Sequence, residues 1–113
     1  IMNQKEFQET KNYILEKAQK IMDAKQPEYT NKSIDVLNNF KTTGKSLNVD
    51  PMIVWGIFFN KQIQSILTHA SDPNLKQAEP IESRYADAIN YLFLGFALLI
   101  EDDNKKDIIS GTE

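Results

Sequence analysis

The stretch EPIESRYADAINYLFLGFALLIED, residues 79–102, constrains the fold more than any other part of this 113-residue chain. Its second half, residues 91–100, is apolar at almost every position. That is about half of the roughly 20 residues a membrane-spanning helix needs, so the run has to be covered by protein. With no polar side at helical spacing, it is expected to form the buried central helix of the molecule. The start of this helix is marked as well. Pro80 fits a first turn, where a backbone N–H would have no partner anyway, and Glu79 and Glu82 complement the positive end of the dipole. In the first half Arg84, Asp87, Asn90 and Tyr91 fall within roughly 120° of arc on a 3.6-residue projection. This polar stripe, leading into an apolar half-helix, is where a site is expected first.

A hydrophobic content of 41% is enough for one domain with a modest core. The domain is expected to span residues 1–113, ordered over about 4–102, with a frayed polar tail at 103–113. The formal net charge is −3 and no basic, aromatic-studded strip is present, which speaks against direct nucleic-acid binding. The absence of cysteine removes disulfides, thiol nucleophiles and Cys-based zinc sites. His69, the single histidine, cannot build a multi-histidine metal centre within one protomer. Residues 1–20 are polar and charged, unlike a secretory leader, so a soluble cytoplasmic protein with no membrane segment is expected.

Three more helices are expected upstream. Over residues 3–25 Phe7, Ile14, Ala18, Ile21 and Met22 line one side, and Pro27 pushes Gln26 out of the α region and ends the helix. Glu6 and Glu9 form an E-x-x-E pair, readable as two carboxylates for a metal or as the acids a first turn favours. Thr30 or Asn31 is placed to cap residues 33–47, where Ile34, Leu37 and Phe40 recur at helical spacing and Gly44 marks a stop near Thr43. Asp50-Pro51 is the clearest start in the chain, an N-cap followed by proline at the first helical position. This third helix is expected to run to about Leu67. Met52, Gly56, Phe59, Ile63, Ile66 and Leu67 lie on one face, while Ile53, Val54, Trp55, Ile57 and Phe58 cover another side of the first turns. That second apolar surface has two readings: it self-associates in a homo-oligomer, or residues 33–47 pack over it. Lys61 either snorkels out of apolar surroundings or binds a phosphate or carboxylate. Residues 69–77, with Asp72-Pro73 and Asn74, read as a turn-rich connection.

Helical periodicity, short connections and the lack of any β-rich segment predict an all-α fold, a compact bundle of about four helices. A family likeness emerges at this point. The run Glu79-Pro80-Ile81-Glu82, then Arg84, then Asp87-Ala88-Ile89-Asn90-Tyr91-Leu92 resembles the signature of small phage and prophage proteins of the nucleotide-modification-associated domain, type one. Glu28-Tyr29, Asn39-Phe40, Asp50-Pro51, Lys61-Gln62 and Ser65-Ile66 stand upstream in the family's order, so the resemblance covers roughly residues 14–101. It implies a distant, MazG-like relationship to all-α nucleoside triphosphate pyrophosphohydrolases, with a role in phage nucleotide metabolism or modified-DNA synthesis. Such enzymes use two acidic pairs on facing helices, E-x-x-E and E-x-x-D, to hold Mg²⁺ or Mn²⁺ ions that bridge phosphate oxygens and activate water. This chain departs from that pattern. The helix beginning at Pro51 carries no Asp or Glu, and Arg84 stands three residues before Asp87, where the second pair needs an acid. Lys61-Gln62 also stands where many relatives carry Lys-His.

Two functional readings result. In the first, the protein binds or processes nucleotides. Lys61 and Arg84 contact phosphates, Tyr29 or Tyr91 stacks on a base, and Asn90 reads an edge or orients Asp87. Asp87 is then the catalytic base or, with Glu82, a ligand to Mg²⁺ or Mn²⁺. With the acidic pairs incomplete, binding without hydrolysis is as well supported as catalysis. In the second reading the protein is a non-catalytic accessory module that self-associates and engages other proteins. Lys61, Arg84, Asp87 and Asn90 then form a buried polar network that sets helix register, with Arg84–Asp87 as a simple i,i+3 ion pair.

Overall fold

Helix starts follow the local signals more closely than helix ends do. The computed structural model describes residues 1–30, 33–101, 109 and 111. Among these residues the fold is all-α, with α1 at Gln4–Thr30, α2 at Asn38–Leu47, α3 at Pro51–Ser71 and α4 at Ile81–Glu101. The side chain of Tyr29, the cap residue Asn31 and nearly all of the tail expected to fray lie outside the described residues.

At the head of α1 the Asn3 side chain accepts the Glu6 N–H at 2.8 Å while Glu6 Oε1 reaches back to the Asn3 N–H at 3.5 Å. This reciprocal capping box is the use of Glu6 that a first turn favours. Proline does not end α1 where expected. Pro27 lies inside the helix, which runs on to Thr30. The missing N–H removes a single bond in the final turn, and that turn is closed by Thr30 Oγ1 donating to the Pro27 carbonyl and by the Ser33 N–H donating to the Thr30 carbonyl.

The second helix starts five residues later than the spacing predicts. Residues 33–37 form a turn instead, in which Ser33 Oγ accepts the Asp35 N–H and Asp35 Oδ1 accepts the Leu37 N–H. Such short side-chain bonds compete with helix formation, and Ile34 is left fully exposed. Nor does Gly44 stop the helix. The chain turns at Asn48, left-handed at φ 57°, with the Val49 N–H donating to the Gly44 carbonyl and the Asn48 N–H to the Lys45 carbonyl. Gly44 is small because the next segment crosses it: a Cβ there would lie 2.6 Å from the Val49 carbonyl oxygen.

The start of α3 is as expected. Asp50 is extended, its carboxylate accepts the Met52 N–H at 2.8 Å, and Pro51 fills the first helical position. The helix then continues through His69 to Ser71, one turn past Leu67. Residues 72–80 turn the chain back, so that α3 and α4 pack as an antiparallel pair; α1 also packs on α4 and α2 on α3.

All four helices meet in one cluster. Leu37, Phe40, Val54 and Leu94 are buried together, with Met22, Trp55, Phe58, Tyr91 and Leu98 packed around them. Of the apolar residues at the start of α3, Val54 and Phe58 are covered by α2, with the Phe40 and Phe58 rings 6.3 Å apart. Trp55 turns toward α4, and Ile53 and Ile57 stay exposed. The packing of α2 thus accounts for Val54 and Phe58 and not for Ile53 and Ile57.

The largest departure concerns α4. Leu94 and Gly95 are buried, but Leu92, Phe93 and Phe96 are each at least half exposed. One side of the apolar run meets α1 and α3; the opposite side is exposed, and no other described helix packs extensively on it. Among the described residues only α1 and α3 pack extensively on α4, so the expectation of a helix buried all round fails for want of neighbours.

Candidate functional site

The polar stripe of α4 points inward and is distributed between two neighbours. On the α1 side, Asn90 is buried and its Nδ2 donates to the Ala18 carbonyl at 2.9 Å. Ala18, Ala86 and Ala88 are all buried small residues, which lets the helices approach closely enough for that bond. Asp87 is also buried, and Lys25 Nζ from the last turns of α1 lies 3.8 Å from its Oδ1. Burial pushes the Asp87 carboxyl above its usual range, Lys25 pulls it back, Glu79 adds to the rise and Arg84 opposes it.

On the α3 side, Arg84 Nη1 donates to the Oε1 of Gln62 at 3.3 Å and lies 3.7 Å from the carboxylate of Glu79. Gln62 is itself buried. Next to it, Gln77 Nε2 donates to the Ser65 carbonyl at 3.3 Å. Arg84 Nε and Gln77 Oε1 are buried without a protein partner. The result is a cluster of Lys25, Gln62, Gln77, Glu79, Arg84 and Asp87 in which charges are matched in sign. Arg84 and Asp87 therefore pair with Glu79 and Lys25, not with each other as the i,i+3 spacing predicts. The reason is geometric: their side chains leave α4 toward different helices.

The other predicted site residues lie elsewhere. Lys61 is exposed on α3; it stands about 100° round the helix from the buried Gln62 that meets Arg84. Tyr91 packs against Phe58, the rings 6.3 Å apart and 13° from parallel, and its carbonyl accepts the Trp55 indole N–H. Glu82 accepts the Tyr13 hydroxyl at 2.6 Å and lies 3.7 Å from Lys17 Nζ. That hydrogen bond to a carboxylate, followed by its charge, holds the Tyr13 phenol above its ordinary range. Glu82 and Asp87 are separated by about 140° round α4, so they do not share a Mg²⁺ or Mn²⁺ ion as expected. Among the described residues no three His, Asp or Glu side chains group in a way that would hold a metal. Asp87 and Asn90 are buried and Arg84 half-buried on the packed side of α4, and Lys61 does not join them.

The nearest depression, about 340 Å³, is lined by His69, Pro73, Leu75, Gln77, Glu79 and Pro80 rather than by Arg84 or Asp87. A larger one of about 410 Å³ lies at the other end of the bundle, against Lys41, Met52, Leu98, Leu99 and Glu101. There Lys41 bridges Asp35 and Glu101, and its hydrogen bond lowers the Asp35 pKa. Lys25, Gln62, Gln77 and Glu79 were not legible as partners of the stripe. Gln62 carried the only local hint, a glutamine on the side of α3 that also holds Trp55 and Phe58. No helix among the described residues is long and apolar enough to cross a membrane. Comparison of the chain with protein-family models, with curated proteins and with solved structures finds no match.

Proposed function

We propose that this protein is a non-catalytic, homo-oligomeric interaction module whose polar cluster holds the helices in register and whose working surface is the outer face of α4. The observation that carries this reading is the exposure of Tyr85, Leu92, Phe93 and Phe96 on one side of a single helix. A contiguous apolar area of this kind marks a protein contact more often than it marks nothing. The polar groups support the same reading. For a nucleotide to use Arg84 and Asp87, it would have to displace Gln62, Glu79 and Lys25, each already matched in charge or hydrogen bonding. Tyr91 would have to leave Phe58 to stack on a base.

Sedimentation equilibrium tests the reading directly. The native protein is expected to exceed its 13.0 kDa chain mass at tens of micromolar. Phe93→Glu is expected to return it to that mass with its helical circular dichroism intact. A native monomer would refute self-association. The nucleotide reading has its own readout in a thermal panel of ribo- and deoxynucleotides with and without Mg²⁺ or Mn²⁺. A ligand at ~100 times its dissociation constant stabilises by about 2.7 kcal/mol, or roughly ten degrees for a domain of this size. A metal-dependent shift of that order would overturn the reading of the polar cluster as a purely structural network, and a flat panel agrees with it.

A further inference from the structure

Taking the self-association reading as its basis, we propose that α4 pairs antiparallel with α4 of a second copy, about a two-fold axis passing between Leu92 and Phe93. Besides Leu99 at its edge, the exposed and half-exposed apolar positions on the outer side of the helix are Tyr85, Ile89, Leu92, Phe93, Phe96 and Ile100. Their spacing reads the same from either end: four, three, one, three, four. An antiparallel partner therefore sets Tyr85 opposite Ile100, Ile89 opposite Phe96 and Leu92 opposite Phe93. Every facing pair joins one aromatic to one branched aliphatic side chain. Parallel in-register pairing would set ring on ring and aliphatic on aliphatic, filling space unevenly along the seam. Isologous contacts of this kind repeat the same pairs on both sides of the axis, which is what a closed dimer needs.

Charge and area agree with the pairing. Between Glu82 and Glu101 the only charged residues of α4 are Arg84 and Asp87, and both lie on the packed side. The seam thus contains no ion to desolvate, and antiparallel dipoles attract where parallel ones repel. At 150–250 Å² per aromatic side chain, Tyr85, Phe93 and Phe96 at about half exposure offer roughly 300 Å². With the aliphatic residues the stripe reaches roughly 500 Å², the larger part of the ~800 Å² each partner contributes to a stable interface. Leu99 and Met52, both exposed at its edge, extend that area toward α3.

The chain has no cysteine, so single-cysteine variants report position without background. The native mass is read first. A monomer there defeats the self-association reading and this pairing together. With an oligomer in hand, Leu92→Cys is expected to oxidise to a linked dimer, because its two copies sit only about 1.5 Å apart along the axis. Two copies of Ile89→Cys, or of Phe96→Cys, sit about 10 Å apart along it. That exceeds the ~7 Å Cα limit for a disulfide, so each variant alone should stay unlinked. Mixed together they should link several-fold more than either alone, and Tyr85→Cys mixed with Ile100→Cys should do the same. Circular dichroism on each variant verifies that it is folded, and the two independent mixtures guard against loss of one. An oligomer in which Ile89→Cys links to itself, or in which neither mixture links, overturns the antiparallel pairing while leaving self-association standing.

Discussion

Replacing Gly95 by alanine tests the tightest contact in the bundle. Gly95 is buried in α4, and a Cβ at that position would fall inside van der Waals contact of the Trp55 ring carbons Cε2 and Cζ2 and 2.7 Å from Nε1. The ring is held there by its N–H, which donates to the carbonyl of Tyr91, one turn earlier on the same helix. Stacking against Phe59, with centroids 5.2 Å apart and planes 8° from parallel, limits sideways escape. Forcing a methyl into such a contact costs about 1–3 kcal/mol, and losing the indole hydrogen bond adds about 1 kcal/mol. Alanine in place of glycine in a helix interior returns about 0.8–1.0 kcal/mol. The net loss is roughly 2 kcal/mol, or a fall in the unfolding midpoint of about 8 °C. Gly56→Ala is the matched control. It makes the same change inside α3, where a Cβ meets nothing within 4 Å, and is expected to stabilise by about 0.8–1.0 kcal/mol. Thermal unfolding followed by circular dichroism, with fluorescence from the single tryptophan and at matched protein concentration, reads both. If Gly95→Ala stabilises as Gly56→Ala does, Trp55 does not lie on α4 as described and the packing argument fails.

Two further substitutions probe the polar layer. Asp87→Asn removes a carboxyl whose pKa is raised chiefly by burial, with Lys25 only partly offsetting it. A raised folded pKa means that the stability associated with Asp87 is fully present below the unfolded value of about 3.9 and is lost as pH rises through the folded one. Asparagine does not titrate, so the variant's midpoint should gain on the native protein as pH climbs from about 3.5 to 7; a difference independent of pH would contradict the burial argument. Asn90→Ala removes the buried bond to the Ala18 carbonyl and is expected to cost about 1–3 kcal/mol in urea unfolding with an unchanged slope. A loss below about 0.5 kcal/mol would show that this bond does not hold α1 to α4.

Local sequence determined the beginnings of α1, α3 and α4 and the phase of their side chains. Asp50-Pro51 carries its cap geometry in two adjacent residues, since the carboxylate needs only the Met52 N–H two positions on. Arg84, Asp87, Asn90 and Tyr91 share one side of α4 because 3.6 residues per turn put them there. Helix ends were harder to read. Pro27 penalises the α region without forbidding it, and one further turn of α1 forms beyond it. The start of α2 was displaced as well: at residues 33–37 the side chains of Ser33 and Asp35 hold backbone N–H groups that a helix would have used differently.

Tertiary structure decided what the α4 face meets. A helical projection sets the angle between Asp87 and Asn90, but it cannot say that Lys25, far away in sequence, supplies the charge opposite Asp87. Nor can it say that Gln62, not an acid, meets Arg84. The apolar half of α4 makes the same point more strongly. A helix that is hydrophobic all round has no preferred inner side, so its sequence alone leaves the buried side open. The choice followed from Gly95, where the missing side chain admits Trp55, and from the alanines that let α1 approach. Once α1 and α3 had taken those positions, Leu92, Phe93 and Phe96 were left outside, because no other helix among the described residues packs extensively on α4.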